Sequence, residues 1–258
     1  MIMATQKEYK IKLVTKEFLN RDTCYLGFEC PEIAGSAVPG QFVNISAGTM
    51  FLKRPFGIAC VDRQNGTFKI GVKVVGRGTE QIKSFDIGTE VDCLGPLGNG
   101  FDFGDYDNII LTGGGTGVFP INFAYEELIS QGRNVTVCEG FRDASQVILK
   151  KDGYIITTDA GDSGIKGTVI SGLDTIDIKD HSNTLVCCVG PIPMMKAVGQ
   201  WAEDKGMKCL VSMEQRMACG AGICLCCIVK VKDDGPEGYK NVRCCKDGPV
   251  FDSREVVW

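Results

Sequence analysis

Cysteines carry the clearest chemical signal in this chain of 258 residues. In the stretch Met217-Ala-Cys-Gly-Ala-Gly-Ile-Cys-Leu-Cys-Cys227, Cys219, Cys224 and Cys227 fall in the spacing C-x4-C-x2-C, and a further pair, Cys244-Cys245, follows near the carboxyl end. Four thiolates so spaced, the last arriving from further along the chain, are the plant-type [2Fe–2S] ligand pattern. Gly220 and Gly222 let a short loop reach φ > 0 without a Cβ penalty and bring backbone N–H groups towards sulfur. Such a cluster carries one electron at a time, so the preceding residues must supply or accept electrons.

Four upstream motifs suit phosphate-bearing ligands. Arg54-Pro55-Phe56-Gly57 sets a fixed guanidinium fork at the start of a strand, although an Arg-Pro pair at a strand edge also occurs as plain structure. Val75-Gly-Arg-Gly78-Thr79 precedes a short helix and can offer N–H groups to a diphosphate; an ordinary turn with a Thr cap is the bland alternative. Thr112-Gly113-Gly114-Gly115-Thr116-Gly117-Val118-Phe-Pro120 lies between strand and helix, where a dinucleotide pyrophosphate loop belongs, although Val118 breaks the strict G-x-G-x-x-G pattern. Cys188-Val-Gly190-Pro191-Ile-Pro-Met194 also leaves a strand carboxyl end, the ligand side of an open α/β sheet. Glu139 and Asp159 are expected at strand ends, where an acid accepts from a ribose 2′-OH and repels a 2′-phosphate, so NADH is expected over NADPH.

Two different rhythms position these motifs. Residues 9–100 read as short strands (Tyr9–Val14, Cys24–Glu29, Gln41–Ile45, Gly57–Asp62, Phe68–Val75 and Glu90–Leu94) broken by turn signals, with one short helix through Gln81–Phe85. That spacing favours a barrel or sandwich. The breaker cluster Leu94-Gly-Pro-Leu-Gly-Asn-Gly100 marks a boundary. Beyond it, strands at Asn108–Thr112, Asn134–Cys138, Tyr154–Thr158, Thr184–Val189 and Lys208–Ser212 alternate with helices at Pro120–Ser130, Ser145–Lys150, Gly167–Leu173 and Met194–Lys205. Alternation of this kind implies a parallel sheet covered on both faces. The tail from Glu214 is too short for its own core and is expected to fold around its cluster.

Composition narrows the function classes. A net charge of −4 offers no basic face for nucleic acid. The stretch Met1–Lys10 lacks the apolar centre of a secretory signal, and no run approaches a membrane span, so a cytoplasmic protein is expected. In that setting fourteen cysteines suggest metal ligands and reduced thiols rather than disulfides. The single histidine, His181, sits in a polar stretch, which leaves the chemistry to cofactors rather than to side-chain acid–base catalysis.

Together these motifs resemble the ferredoxin-reductase superfamily, and the whole chain resembles the electron-transfer subunits of NAD-dependent (type 1B) dihydroorotate dehydrogenases. The resemblance runs through Pro39-Gly-Gln-Phe42, Arg54-Pro55, Gly78-Thr79, Gly113–Gly117, Gly190-Pro191-x-x-Met194, the cysteine stretch and Cys245-Lys-Asp-Gly-Pro-Val-Phe251. It implies a multidomain α+β and α/β chain: an antiparallel β-barrel FAD domain (1–102), a Rossmann-like parallel-sheet NAD domain (103–213) and a small [2Fe–2S] module (214–258). It implies FAD at Arg54, Pro55, Phe56 and Gly57, at Gly71, Val72 and Lys73, and at Gly78 and Thr79. NAD(H) is implied at Gly113, Gly114, Gly115, Thr116, Gly117, Asp159, Gly190 and Pro191. The cluster is implied at Cys219, Cys224, Cys227 and Cys245, the last chosen over Cys244 because the family's ligand precedes Asp-Gly-Pro by one residue; Cys226 has no counterpart as a ligand. Gly57 departs from the family, which carries Ser there.

The implied activity is that of an oxidoreductase subunit relaying electrons between NAD(H), FAD and the cluster, with net flow from dihydroorotate towards NAD+. Its partner would be an FMN-containing catalytic subunit, in a heterotetramer of two of each, serving pyrimidine biosynthesis. The small subunit of an electron-bifurcating transhydrogenase or of a sulfite-reductase-type complex shares this architecture; the bifurcating family typically has Asp at the position of Cys219. A zinc module built on Cys224-x-x-Cys227 would want a second C-x2-C or histidines.

Overall fold

Alternation in Phe68-Lys-Ile-Gly-Val-Lys73 sends Phe68, Ile70 and Val72 into one core and leaves Lys69, Gly71 and Lys73 on the opposite face. The computed structural model describes residues 7–258; residues 1–6 of the amino-terminal stretch lie outside them. Six strands, β1 (Lys7–Phe18), β2 (Thr23–Glu29), β3 (Phe42–Ile45), β4 (Arg54–Asp62), β5 (Thr67–Lys73) and β6 (Glu90–Leu97), close into an antiparallel barrel in the order β1-β2-β5-β4-β3-β6. Closure removes the unpaired edges that an open sheet of this size would expose. Helix α1 (Pro31–Ser36), absent from the sequence expectation, starts on Pro31 and plugs Ile33 into the barrel core. Helix α2 (Arg77–Lys83) follows β5 and starts just before Gly78-Thr79, so these two residues lie within its first turn.

The second unit is a sheet of β7 (Asn108–Gly114), β8 (Asn134–Phe141), β9 (Ile155–Thr158), β10 (Ile165–Lys166), β11 (Thr184–Val189) and β12 (Lys208–Ser212), parallel in the order β10-β9-β8-β7-β11-β12. Helix α3 (Val118–Ser130) covers one face and also packs on β4, joining sheet to barrel. Helices α4 (Val169–Leu173) and α5 (Ile192–Asp204) cover the other. Helix α3 begins before Pro120 because a first-turn residue has no intrahelical N–H partner to lose. The expected helix over Ser145–Lys150 shrinks to a 3-10 turn, Ala144–Gln146. Beyond it Val147, Ile148 and Leu149 leave the helical pattern to pack over Val118, Phe141 and Ile156.

In the tail, β13 (Ile228–Lys232) and β14 (Tyr239–Arg243) form a hairpin, while β15 (Val250–Asp252) adds antiparallel to β12. Cys227, Val229, Val231, Cys244 and Phe251 share one core with Phe42 of the barrel and Val211 of the sheet. This corrects the expectation that a cluster must serve as the tail's structural centre: the tail buries its apolar residues against both larger units. Among the described residues no helix is long and apolar enough to cross a membrane.

Candidate functional site

The cysteine loop turns twice through left-handed backbone, at Gly220 (φ 68°) and Gly222 (φ 75°). The turns aim N–H groups at sulfur. Cys219 Sγ accepts from Ala221 N–H at 3.3 Å and Cys224 N–H at 3.4 Å, and Cys245 Sγ accepts from Gly222 N–H at 3.1 Å. Cys227 Sγ accepts from the Cys245 N–H at 3.4 Å. Burial works to raise the Cys219 thiol, but the N–H groups of Cys224, Ala221 and Ile223 outweigh it and bring it down to about 6. Cys245 is pushed up to about 12 by burial and by the Cys227 sulfur. Its neighbour Cys244 points away into the core, and its Sγ donates to the Met213 carbonyl oxygen at 3.1 Å. Cys224 and Cys226 are exposed.

Donors aimed at several sulfurs of one loop system fit an anionic iron–sulfur cluster. Among the described residues no three His, Cys, Asp or Glu side chains converge as ligands of a single ion.

Beside this loop a cavity of about 310 Å3 opens between the barrel, the start of α3 and residues 212–217. Pro55, Phe56, Gly57, Gly71, Lys73 and Thr79 all line it. Arg54 packs on Gly78: a Cβ there would lie 2.3 Å from Arg54 Nε. The guanidinium is steadied by the carbonyl oxygens of Leu52 (2.6 Å) and Lys53 (3.2 Å) and by Met50 Sδ. All three partners are neutral, which leaves the charge for an anion such as a pyrophosphate. The Thr79 hydroxyl accepts from the Val75 and Gly76 N–H groups and donates to the Gly76 carbonyl, so it shapes the loop.

Several placements amend the sequence expectations. Val72 turns its side chain into the barrel core, which leaves only its main chain for a ligand. Gly71 is small for Phe119, whose ring would lie 2.0 Å from a Cβ there. Gly57 faces Pro120, 3.4 Å from an added Cβ, so a side chain here would press on α3. Phe42, Phe119, Pro120 and Met217 also line the cavity and were not foreseen as site residues. Phe42 was visible only as the end of Pro39-Gly-Gln-Phe42, Phe119 and Pro120 only as the end of the glycine-loop motif, and Met217 only as the start of the cysteine stretch.

A second cavity, about 680 Å3, lies at the carboxyl ends of the parallel strands. Gly114, Gly115, Asp159 and Pro191 line it. Gly113, Gly117 and Gly190 are buried behind it and permit the close approach of two loops. A Cβ on Gly117 would lie 2.1 Å from the Val189 carbonyl oxygen, and Cβ atoms on Gly114 and Gly190 would lie 2.3 and 2.8 Å from Met194 Sδ. The loops thus meet between β7 and β11, where the strand order reverses and ligands of such sheets bind. Thr116 lines the first cavity, not the second. Lys73 lines both, and its Nζ donates to Gln146 Oε1 at 2.8 Å.

Glu139 requires a correction. Strand β8 continues to Phe141, so Glu139 is 0% exposed, with neither carboxylate oxygen partnered, and burial pushes it up to about 8. It reaches no ribose. Exposed Asp159, directly after β9, does line the second cavity, as does Arg142, the first residue past β8. Position past a strand end was the signal for Arg142, and the early strand stop assumed at Cys138 hid it.

Comparison with known proteins agrees with this geometry. A family model for the iron–sulfur cluster binding domain of dihydroorotate dehydrogenase B matches residues 214–257, and one for an oxidoreductase FAD-binding domain matches residues 10–101. The dihydroorotate dehydrogenase B (NAD(+)) electron transfer subunit of Desulforamulus reducens is 36% identical over 98% of this chain and 99% of its own. The chain belongs to that family. A second member of the dihydroorotate dehydrogenase B electron transfer subunits, from Shouchella clausii, is 31% identical over the same shares of the two chains. Among solved structures, an NADH-dependent reduced ferredoxin–NADP oxidoreductase studied for flavin-based electron bifurcation superposes with a TM-score of 0.85 at 29% identity, covering all of this chain and 92% of the other.

Proposed function

We infer that this chain is the electron-transfer subunit of an NAD-linked dihydroorotate dehydrogenase. It connects NAD(H) to the FMN of a separate catalytic subunit in pyrimidine (UMP) biosynthesis, with dihydroorotate as the electron source and NAD+ as the acceptor. The assembly is a cytoplasmic heterotetramer of two subunits of each kind. One observation carries the reading: Met217 lines the barrel cavity, and Cys219 follows two residues later in the loop whose N–H groups point at sulfur.

When bound, FAD exchanges hydride with NAD(H) and the [2Fe–2S] cluster moves electrons singly. The chain's residues bind and orient. Arg54 offers its fork, and Gly78 the main-chain space, to the FAD pyrophosphate; Pro55, Phe56, Gly57, Gly71 and the Val72 main chain wall the flavin, with Lys73 and Thr79 at its edge. Gly114 and Gly115 give the nicotinamide nucleotide a close main-chain approach, with Gly113, Gly117, Gly190 and Pro191 shaping that turn and Asp159 placed for a ribose. Thr116, which lines the barrel cavity, would help to orient the nicotinamide against the flavin. Cys219, Cys224, Cys227 and Cys245 hold the cluster; Cys244 is committed to the core. No side chain is asked to act as a general base.

Co-expression with a dihydroorotate dehydrogenase catalytic subunit tests the reading. The expected product is a red-brown complex that reduces NAD+ with dihydroorotate, while the catalytic subunit alone does not. A colourless protein, or one that forms no such complex, would sink the reading. The architectural likeness to the bifurcating oxidoreductase keeps one rival in view: a complex that instead couples NADH, NADPH and ferredoxin would select it.

A further inference from the structure

Strand β3 divides its side chains between two jobs. Val43 and Ile45 enter the barrel core, whereas Phe42 and Asn44 face the cysteine tail. Asn44 is 1% exposed, and its buried Oδ1 has no partner. Its Nδ2 end meets the cysteine loop: a Cβ on Gly220 would lie 2.7 Å from it. Across the sheet Asn44 sits opposite Pro55 on one side and Leu94 on the other. Pro55 and Phe42 line the 310 Å3 cavity. One buried amide therefore stands between the wall of the flavin cavity and the loop that begins at Cys219.

An amide buried with its oxygen unpartnered is costly, and Leu would fill this mostly apolar seam without that cost. The side chain that is present has one property Leu lacks, an N–H donor, and it is the donor end that faces the loop. Thiolates and inorganic sulfides in turn offer only acceptors to such a group. Hydrogen bonds to sulfur are among the factors that set the potential of an iron–sulfur cluster, because they favour the more negative, reduced state.

We propose that Asn44, a residue of the flavin barrel, donates a hydrogen bond from its amide to sulfur of the cluster held by the Cys219–Cys224 loop and so raises the reduction potential of that cluster. The proposal rests on the cluster reading above and adds to it a residue outside the cysteine motif. It ties the potential of the one-electron carrier to the wall that holds the two-electron carrier.

The test uses the full chain carrying flavin and cluster. In Asn44→Leu, flavin and cluster contents should match the wild type, while the cluster midpoint potential, followed by electron paramagnetic resonance, moves negative. Loss of one such bond corresponds to about tenfold in the reduction equilibrium, or about 59 mV for a one-electron couple. Asn44→Ala also removes the donor, adds no charge and should shift the potential the same way. A second measurement needs no variant. Wild-type protein labelled with 15N in its asparagine side chains should show a nitrogen coupling to the reduced cluster by pulsed resonance. Asn99, also near the tail, already donates to the Asp247 and Val250 carbonyl oxygens. An unchanged potential in a variant that keeps its cluster, or no coupling in the labelled wild type, overturns the proposal. If neither variant loads a cluster, the labelled protein decides. A wild-type chain that holds no cluster at all is a separate result, and it overturns the functional reading instead.

Discussion

The cysteine loop and the glycine loops solve the same problem, holding an anionic group, in opposite ways. In the cysteine loop the donors come from the loop itself: N–H groups of Ala221 and Cys224 reach the sulfur of Cys219 within one short stretch of chain, and the Gly222 N–H reaches Cys245, which arrives from beyond the hairpin. In the glycine loops the critical partners come from other elements. Gly117 yields to the carbonyl of Val189, Gly114 to Met194 and Gly78 to Arg54. A local device can be written as a spacing, whereas a device made by distant elements works only once the fold has brought them together. The two regions should therefore fail differently when perturbed.

The largest difference is expected in the cysteine pair. Cys245→Ser removes a sulfur that the Gly222 N–H already addresses, and the cluster should be lost entirely by iron content and visible absorption, with flavin retained. Cys244→Ser should keep the cluster, because a serine hydroxyl can still donate to the Met213 carbonyl. A reversed pattern would reassign the ligand and make the local device less legible than its spacing suggests.

Next in size is the buried acid. Glu139 has an ordinary value of 4.5, and burial raises it to about 8 in the folded chain. The folded state therefore binds a proton that the unfolded state has released between those values. Stability from this group is complete below about pH 4.5, falls by roughly 1.4 kcal/mol per unit as pH rises towards 8, and levels off above it after a loss of about 5 kcal/mol. Glu139→Gln should flatten that slope in denaturant titrations run from pH 5 to pH 8. Persistence of the slope would assign it to other groups.

These two residues also mark what could be read from sequence. Period-two alternation in Phe68–Lys73 and the change to alternating strands and helices after Gly100 reported the barrel and the parallel sheet, because both patterns follow from one face being buried. Cys219, Cys224 and Cys227 stood out in the sequence because their spacing is the plant-type cluster pattern, a purely local signal. Glu139 was misread because composition does not say where a strand stops: two further residues of β8 turned a supposed strand-end acid into a core acid. Phe119 and Pro120 stood in a recognised motif, yet their contacts with Gly71 and Gly57 depend on α3 crossing to the barrel, a relation with no local signature. The tail's burial against Phe42 and Val211 was hidden for the same reason.

The glycine loops predict a middle-sized effect of a distinct kind. Gly117→Ala sets a Cβ 2.1 Å from a main-chain oxygen of β11, which cannot turn aside as a side chain would. The expected cost is up to about 3 kcal/mol of stability, together with weaker NADH binding in equilibrium titration, while the cluster spectrum is unchanged. Gly78→Ala meets the flexible Arg54 guanidinium instead, so it should cost less stability and show itself mainly as lost FAD. Equal losses of stability in the two variants would contradict the distinction between a main-chain and a side-chain obstacle.

The smallest effect concerns cofactor choice, where the two charges in the nucleotide cavity oppose each other. Asp159 lies just past β9 and Arg142 just past β8, and both line the same space. A carboxylate disfavours a 2′-phosphate and a guanidinium favours one, so the preference for NADH is a difference between them, open to adjustment by single substitutions. Asp159→Ser should shift the ratio of NADH to NADPH efficiency towards NADPH by about tenfold, equivalent to roughly 1.4 kcal/mol. Arg142→Ala should shift it the other way by a smaller factor, because the side chain is exposed and its charge is screened. Anaerobic reduction of the bound flavin by each nucleotide measures both ratios directly. An unchanged ratio in both variants would remove these side chains from the discrimination and leave it to the main chain of the glycine loops.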